Sequence, residues 1–143
     1  DLHILPKDLF LQSNKCFQTY FTGLFDCYCD YTSQWPFLKS MAKELEIGRF
    51  NIQRYQQHQH FQKVHAERSG IQTLHHLSAW MTYLNDVSPV EGGLTIFSHY
   101  GIEIQPQNAH TLIWSAEWSH AHKGSILNAN SKYIITGWMH FAS

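Results

Sequence analysis

A mainly β domain, a sandwich or jelly roll supported by helices near the N-terminus, is what this sequence predicts, and three observations carry the expectation. Before Gly48 apolar residues recur at intervals of three and four, the period of a helix with one buried stripe. Beyond Gly48 the texture changes to short apolar segments divided by turn residues, which is how strands read. The chain has 143 residues, 43% hydrophobic and 15% aromatic, enough for one respectable core and too few for two. A single domain over 1–143 is therefore expected, with helical support over about 1–48 and the β core over about 49–143.

The elements follow in order. Over 13–31 the positions Phe17, Tyr20, Phe21, Leu24, Phe25 and Tyr28 predict an amphipathic helix. Pro36 sits in the first turn of a second helix that reaches about Leu45, with Phe37, Leu38, Met41 and Leu45 as its apolar side and Gly48 as its end. Strands are predicted over 50–55, 77–84, 95–97, 102–104, 111–114, 124–127 and 133–141. Between them lie Ser69-Gly70, Asn85-Asp86, Ser88-Pro89, Gly92-Gly93, 105–108 and 128–131, all turn chemistry. Many short strands at this spacing favour a sandwich or jelly roll, with the helices covering one outer face.

Composition narrows the function. Ten Lys+Arg against eleven Asp+Glu give a charge of -1, and only 15% of residues are charged, below the usual quarter. An electrostatic grip on phosphate backbones, and hence a nucleic-acid partner, is not expected. The apolar runs fall short of the roughly 20 residues of a membrane span, no basic-then-apolar leader opens the chain, and the start at Asp1 without Met points to trimming or processing. Cys16, Cys27 and Cys29, an odd number close together, argue against a disulfide framework and for a reducing, cytoplasmic setting. The sequence sets no oligomeric state.

Histidine is the anomaly: eleven copies, nine of them between His58 and His122. Val64-His65-Ala66-Glu67 puts an imidazole and a carboxylate two residues apart, on one face if the segment is a strand. A third ligand has to come from a distant element, and His120 or His122 could supply it. Two His and one carboxylate with open positions opposite suit a non-haem iron(II) centre. His58 and His60, amid five Gln between Gln53 and Gln62, read as solvent-facing, and His99, His110 and His140 as packing or surface residues. A structural zinc is disfavoured because no paired Cys/His spacing appears.

The final strand carries a second clue. Alternation puts Lys132, Ile134, Thr136 and Trp138 on one face and Tyr133, Ile135, Met139 and Phe141 on the other. A buried ammonium costs several kcal/mol unless paired. Either an anionic ligand supplies the partner of Lys132, or the side chain lies at the strand's end and its head reaches water.

Together these motifs form a pattern. Tyr55 precedes His65 and Glu67; Tyr83-Leu84-Asn85-Asp86 and Gly92-Gly93-Leu94-Thr95-Ile96-Phe97 follow; Pro106 leads into Leu112-Ile113-Trp114; and His122 is followed after ten residues by Lys132 and after six more by Trp138. Over 50–141 the chain thereby resembles the 2-oxoglutarate and iron(II)-dependent oxygenases of the prolyl 4-hydroxylase type, especially the small versions carried by bacterial viruses. The resemblance implies a double-stranded β-helix (jelly-roll) core. It implies that His65, Glu67 and His122 bind Fe(II), that Lys132 grips the distal carboxylate of 2-oxoglutarate with help from the hydroxyls of Tyr55 and Thr95, and that Trp138 lies beside the substrate. His120 and His76 become substrate-side candidates, and a relative of this kind would work in the host cytoplasm.

By the same resemblance the reaction is hydroxylation of a C–H bond with O2, with ascorbate as an optional helper, most naturally on a prolyl residue in a peptide or protein. The alternatives are a hydroxylase of a small molecule or free amino acid, and an inactive jelly-roll module that holds a metal. Four departures stand out, of which the last bears on the substrate. Glu67 stands where most prolyl hydroxylases have Asp, Tyr55 lies one residue farther from His65 than usual, Leu94 replaces an acidic residue, and His76 replaces an Arg that often faces the substrate. The segments 58–64 and 69–76 are the candidate lids.

Overall fold

The computed structural model describes residues 1–5 and 14–142. A short strand β1 (Leu2–Ile4) is followed by helix α1 (Lys15–Gln34) and helix α2 (Pro36–Met41). The strands β2 (Leu45–Gln56), β3 (His76–Tyr83), β4 (Thr95–Phe97), β5 (Ile102–Ile104), β6 (Thr111–Ser115), β7 (His122–Gly124) and β8 (Ser131–Phe141) complete the chain. They form a five-stranded sheet in the order β1-β2-β8-β3-β6 and a three-stranded sheet in the order β5-β4-β7. Every pairing is antiparallel. The architecture is a jelly roll with helices against the larger sheet.

Alternation along the central strands builds two apolar layers. Phe50, Trp80, Ile135 and Met139 point to one side of the large sheet, where Phe17, Tyr20, Phe21, Leu24 and Tyr28 of α1 cover them. Ala79, Met81, Tyr83 and Ile134 point to the other side and meet Phe97 and Ile104 of the small sheet. Because β3 is covered on both sides, seven consecutive residues from Leu77 are buried. Gly137 marks the tightest point of the helix-side layer: a Cβ there would lie 2.7 Å from the Trp80 ring and 2.8 Å from Phe50 Cβ.

The structure corrects several sequence expectations. The first helix starts at Lys15 and runs to Gln34; Ser13, its expected first residue, lies outside the described residues. Phe25 is 63% exposed and does not share the buried stripe, because α1 touches the sheet only along the Phe17–Tyr28 side. The second helix stops at Met41 and leaves Phe37 75% exposed. Leu45 and Gly48 belong instead to β2, which pairs with β8 from Leu45↔Phe141 to Gln56↔Ser131; the long ladder outweighs the glycine's tendency to end an element. β1 was not expected at all. The 124–127 strand lies earlier, at His122–Gly124, and Leu127 makes only an isolated bridge to Gly92. The His65–Glu67 segment is not a strand; it is tied down by one bridge, His65↔His122.

Candidate active site

A cavity of about 310 Å³ opens between the two sheets. Its long wall is the inward row of β2 and β8, where Asn51 stands opposite Thr136, Gln53 opposite Ile134, and Tyr55 opposite Lys132. His65, Glu67, His122, Thr95 and Trp138 also line it, with Phe61, Met81 and Trp114 as apolar walls.

His65, Glu67 and His122 converge there although the last is more than fifty residues away along the chain. Two reciprocal backbone hydrogen bonds join His65 to His122, at 3.0 and 2.9 Å. The Nδ1 of His65 meets the Lys63 carbonyl at 2.9 Å and the Nδ1 of His122 meets the His120 carbonyl at 2.9 Å. A carbonyl only accepts, so each Nδ1 carries the proton and each Nε2 is left with its lone pair. Both Nε2 atoms face Glu67 Oε1, at 3.8 Å from His65 and 3.1 Å from His122. One donor atom from each of the three residues lies within 4.8 Å of the others. Two imidazoles with fixed tautomers and one carboxylate are a donor set that fits a divalent transition metal with open positions. Burial raises the Glu67 carboxyl, but the indole N–H that Trp138 donates and the neighbouring imidazoles of His122 and His65 outweigh it and hold the group below its usual range.

Lys132 is 6% exposed. Its Nζ donates to the Gly93 carbonyl at 3.0 Å and sits 4.8 Å from the centroid of the Tyr55 ring. That carbonyl is presented by the Gly92-Gly93 turn, where φ is +74° and +68°, backbone angles that glycine adopts without strain. Among the described residues no carboxylate pairs with Lys132, and burial pushes the ammonium down to about 8. A buried cation with spare donors beside a cavity fits a carboxylate ligand. The strand-end reading, in which the head reaches water, does not hold.

The remaining sequence candidates fall in different places. Thr95 is buried and its hydroxyl pairs with that of Tyr83 at 2.6 Å. The Tyr55 hydroxyl donates to Gln53 Oε1 at 3.0 Å, so Tyr55 meets Lys132 through its ring. Trp138 donates its indole N–H to Glu67 Oε2 at 2.6 Å. His76 stacks on Trp138, rings 5.1 Å apart and 8° from parallel, and does not line the cavity. His120 packs against Tyr100 and Phe97 and stands outside the three-donor cluster. Sequence reasoning missed Asn51 and Gln53 on the cavity wall, although their alternation with Tyr55 was visible, and it gave Thr136 a face but no role. It also gave Tyr83 no role; burial moves its phenol up to about 12.

A jelly roll that brings two His and one Glu together beside a buried Lys defines the class of non-haem metal oxygenases that use an anionic cosubstrate. Residues 50–140 match the 2OG-Fe(II) oxygenase superfamily, so the chain belongs to that superfamily and is a 2-oxoglutarate and iron(II)-dependent oxygenase. Among solved structures, the viral collagen prolyl hydroxylase of Paramecium Bursaria Chlorella virus-1, in its 2-oxoglutarate complex, matches at 18% identity and TM-score 0.60, over 79% of this chain and 71% of that one. A Pseudomonas putida prolyl-4-hydroxylase matches at 16% identity and TM-score 0.69, over 99% of this chain and 71% of that one. A Trichoplax adhaerens prolyl hydroxylase, in complex with a hypoxia inducible factor peptide fragment, matches at 17% identity and TM-score 0.58, over 66% and 44%. These likenesses concern the fold. No curated protein sequence matches significantly.

Proposed function

We propose that this oxygenase hydroxylates a C–H bond of a prolyl residue in a peptide or protein. The observation that carries the reading is a single cavity that holds both the three-donor cluster and an unpaired buried ammonium. In this reading His65 Nε2, Glu67 Oε1 and His122 Nε2 hold iron(II), and Lys132 anchors the distal carboxylate of 2-oxoglutarate. Together with dioxygen these cofactors supply an oxidant for an unactivated C–H bond, with the cosubstrate leaving as succinate and carbon dioxide.

The chain's own residues bind, orient and exclude water. One carboxylate and two neutral imidazoles leave a net charge of +1 on a ferrous site, and Lys132 adds one more, which balances a dianion. Thr95, Tyr55 and the inward row of β2 and β8 hold that anion on strands, and strands keep geometry better than loops. Phe61, Met81, Trp114 and Ile134 keep the cavity wall apolar, which limits the access of water. Phe61, half exposed at the rim and 4.4 Å from the His65 ring, offers a flat face on which a pyrrolidine ring can pack. Fold likeness to prolyl hydroxylases supports the same acceptor.

A second reading, a small molecule or free amino acid as acceptor, is favoured by one observation. His76, at the position where prolyl hydroxylases often carry an Arg toward the substrate, is turned against Trp138 and away from the cavity. Succinate formation by the purified protein with iron(II), across a panel of Pro-rich peptides and small metabolites, separates the two. Peptide-dependent turnover with one oxygen gained on Pro supports the first reading; turnover with small acceptors alone overturns it. Under anaerobic conditions iron(II) and 2-oxoglutarate should give a weak visible charge-transfer band, and a colourless mixture would instead indicate an inactive module.

A further inference from the structure

We infer that Trp138 is a positioning residue that makes Glu67 a one-oxygen donor. The inference rests on the assignment of His65, Glu67 and His122 as the iron ligands. Glu67 presents two oxygens with different surroundings. Oε1 faces the imidazoles of His122 and His65, at 3.1 and 3.8 Å, while Oε2 accepts the indole N–H of Trp138 at 2.6 Å. Trp138 belongs to β8, paired in register with Ala79 of β3, so a sheet strand and not a loop sets its place. Its ring is in turn backed by His76 of the neighbouring strand, stacked 8° from parallel, whose Nδ1 lies 3.3 Å from the Glu67 carbonyl. Glu67 is thus gripped at its backbone and its outer oxygen by two stacked rings from adjacent strands.

The need for such a grip follows from the residue type. Glu has one more side-chain torsion than Asp, so it loses more freedom when held still, and its reach lets both oxygens close on one ion. Two-oxygen binding would occupy a position that an oxygen-activating site must keep open. A hydrogen bond to a charged carboxylate is among the strong kinds and is directional, so the indole holds Oε2 away from the ion and fixes the torsions at once. Partners of this type behind a ligand are worth about 10- to 100-fold in metal affinity.

Two measurements test it. In the unaltered chain, the indole N–H resonance of Trp138 should be slow to exchange and remain so when zinc(II), a diamagnetic stand-in, fills the site. Loss of that protection on zinc binding would show that Oε2 has left the indole for the metal, and would overturn the inference. Cobalt(II) binding is the second readout. Trp138→Phe should weaken it about 10- to 100-fold and alter the visible d–d spectrum, whereas in a Glu67→Asp background, where the shorter carboxylate no longer spans both partners, the same substitution should add little. Equal losses in both backgrounds would assign Trp138 a merely structural part. His122→Ala separates the two levels: cobalt binding like that of the wild type would sink the ligand assignment itself, while impaired binding there with an unaffected Trp138→Phe would sink only the positioning role. If Trp138→Phe does not fold, the resonance measurement on the unaltered chain still decides.

Discussion

Lys132 and Tyr55 stand opposite each other across the β2–β8 ladder, and the ammonium lies 4.8 Å from the centroid of the aromatic ring. The pair places a positive charge at a buried point of the cavity wall and gives it a π face and one carbonyl, but no carboxylate among the described residues. An aromatic face and a carbonyl are weak substitutes for a counter-ion. The pair is stable enough to persist and unsatisfied enough to favour an anion.

Function and stability should therefore separate at Lys132. Lys132→Met keeps the volume and removes the charge. Its 2-oxoglutarate requirement is expected to rise by at least tenfold, the loss of a charged hydrogen-bonding partner being worth about 1.5–3 kcal/mol, while its thermal midpoint stays level or rises because a buried unpaired ion has gone. Titration of cosubstrate dependence alongside thermal denaturation checks both halves; unaltered cosubstrate dependence would remove the anchoring role.

The same group sets a pH dependence. Burial lowers its pKa from the ordinary 10.5 to about 8, so between those values the unfolded chain binds more protons than the folded protein. Stability from this group then rises with pH across that window, and its charged form is destabilising below it. Affinity for 2-oxoglutarate runs the other way and falls as pH passes about 8, where the anion loses its partner. Thermal unfolding and cosubstrate binding followed through the window should show opposite slopes, and both slopes should flatten in Lys132→Met.

His122→Ala should abolish cosubstrate turnover, since it removes one donor of the three-residue cluster. His120→Ala should retain a good part of it, because only the carbonyl of that residue, not its ring, supports His122. Single-turnover succinate measurements distinguish them, and the reverse order of damage would overturn the ligand choice.

Gly137→Ala is expected to destabilise the fold by about 1–3 kcal/mol, the usual cost of forcing a methyl into a filled core. The new Cβ would meet Trp80 at 2.7 Å and Phe50 Cβ at 2.8 Å. Denaturant unfolding should show a lower midpoint, and an unchanged midpoint would mean that this layer gives more freely than its packing suggests.

Much of this protein could be read along the chain. The short strands Thr95–Phe97 and Ile102–Ile104 fall where turn residues bracket them, since local backbone preferences decide such boundaries. The alternation of Lys132, Ile134, Thr136 and Trp138 put these four on one face of β8 before its partner strand was known, because side chains alternate on any strand, and that face lines the cavity. The His65-x-Glu67 pair and the later His120 and His122 were legible as candidate donors, and the family resemblance implied His122.

Other features depend on residues distant in sequence. Whether His120 or His122 joins His65 cannot be derived from two histidines two apart, which share a face; the backbone bridge between His65 and His122 decides it. Gly48 reads locally as a helix stop, yet pairing with β8 on both sides of a register shift between Ile47 and Phe50 carries the strand past it. Lys132 could have met water or the interior, and only the closing of two sheets over it buried the charge. The division has one cause: periodicity and turn chemistry act over a few residues, whereas desolvation and the meeting of donor atoms exist only after remote strands have paired.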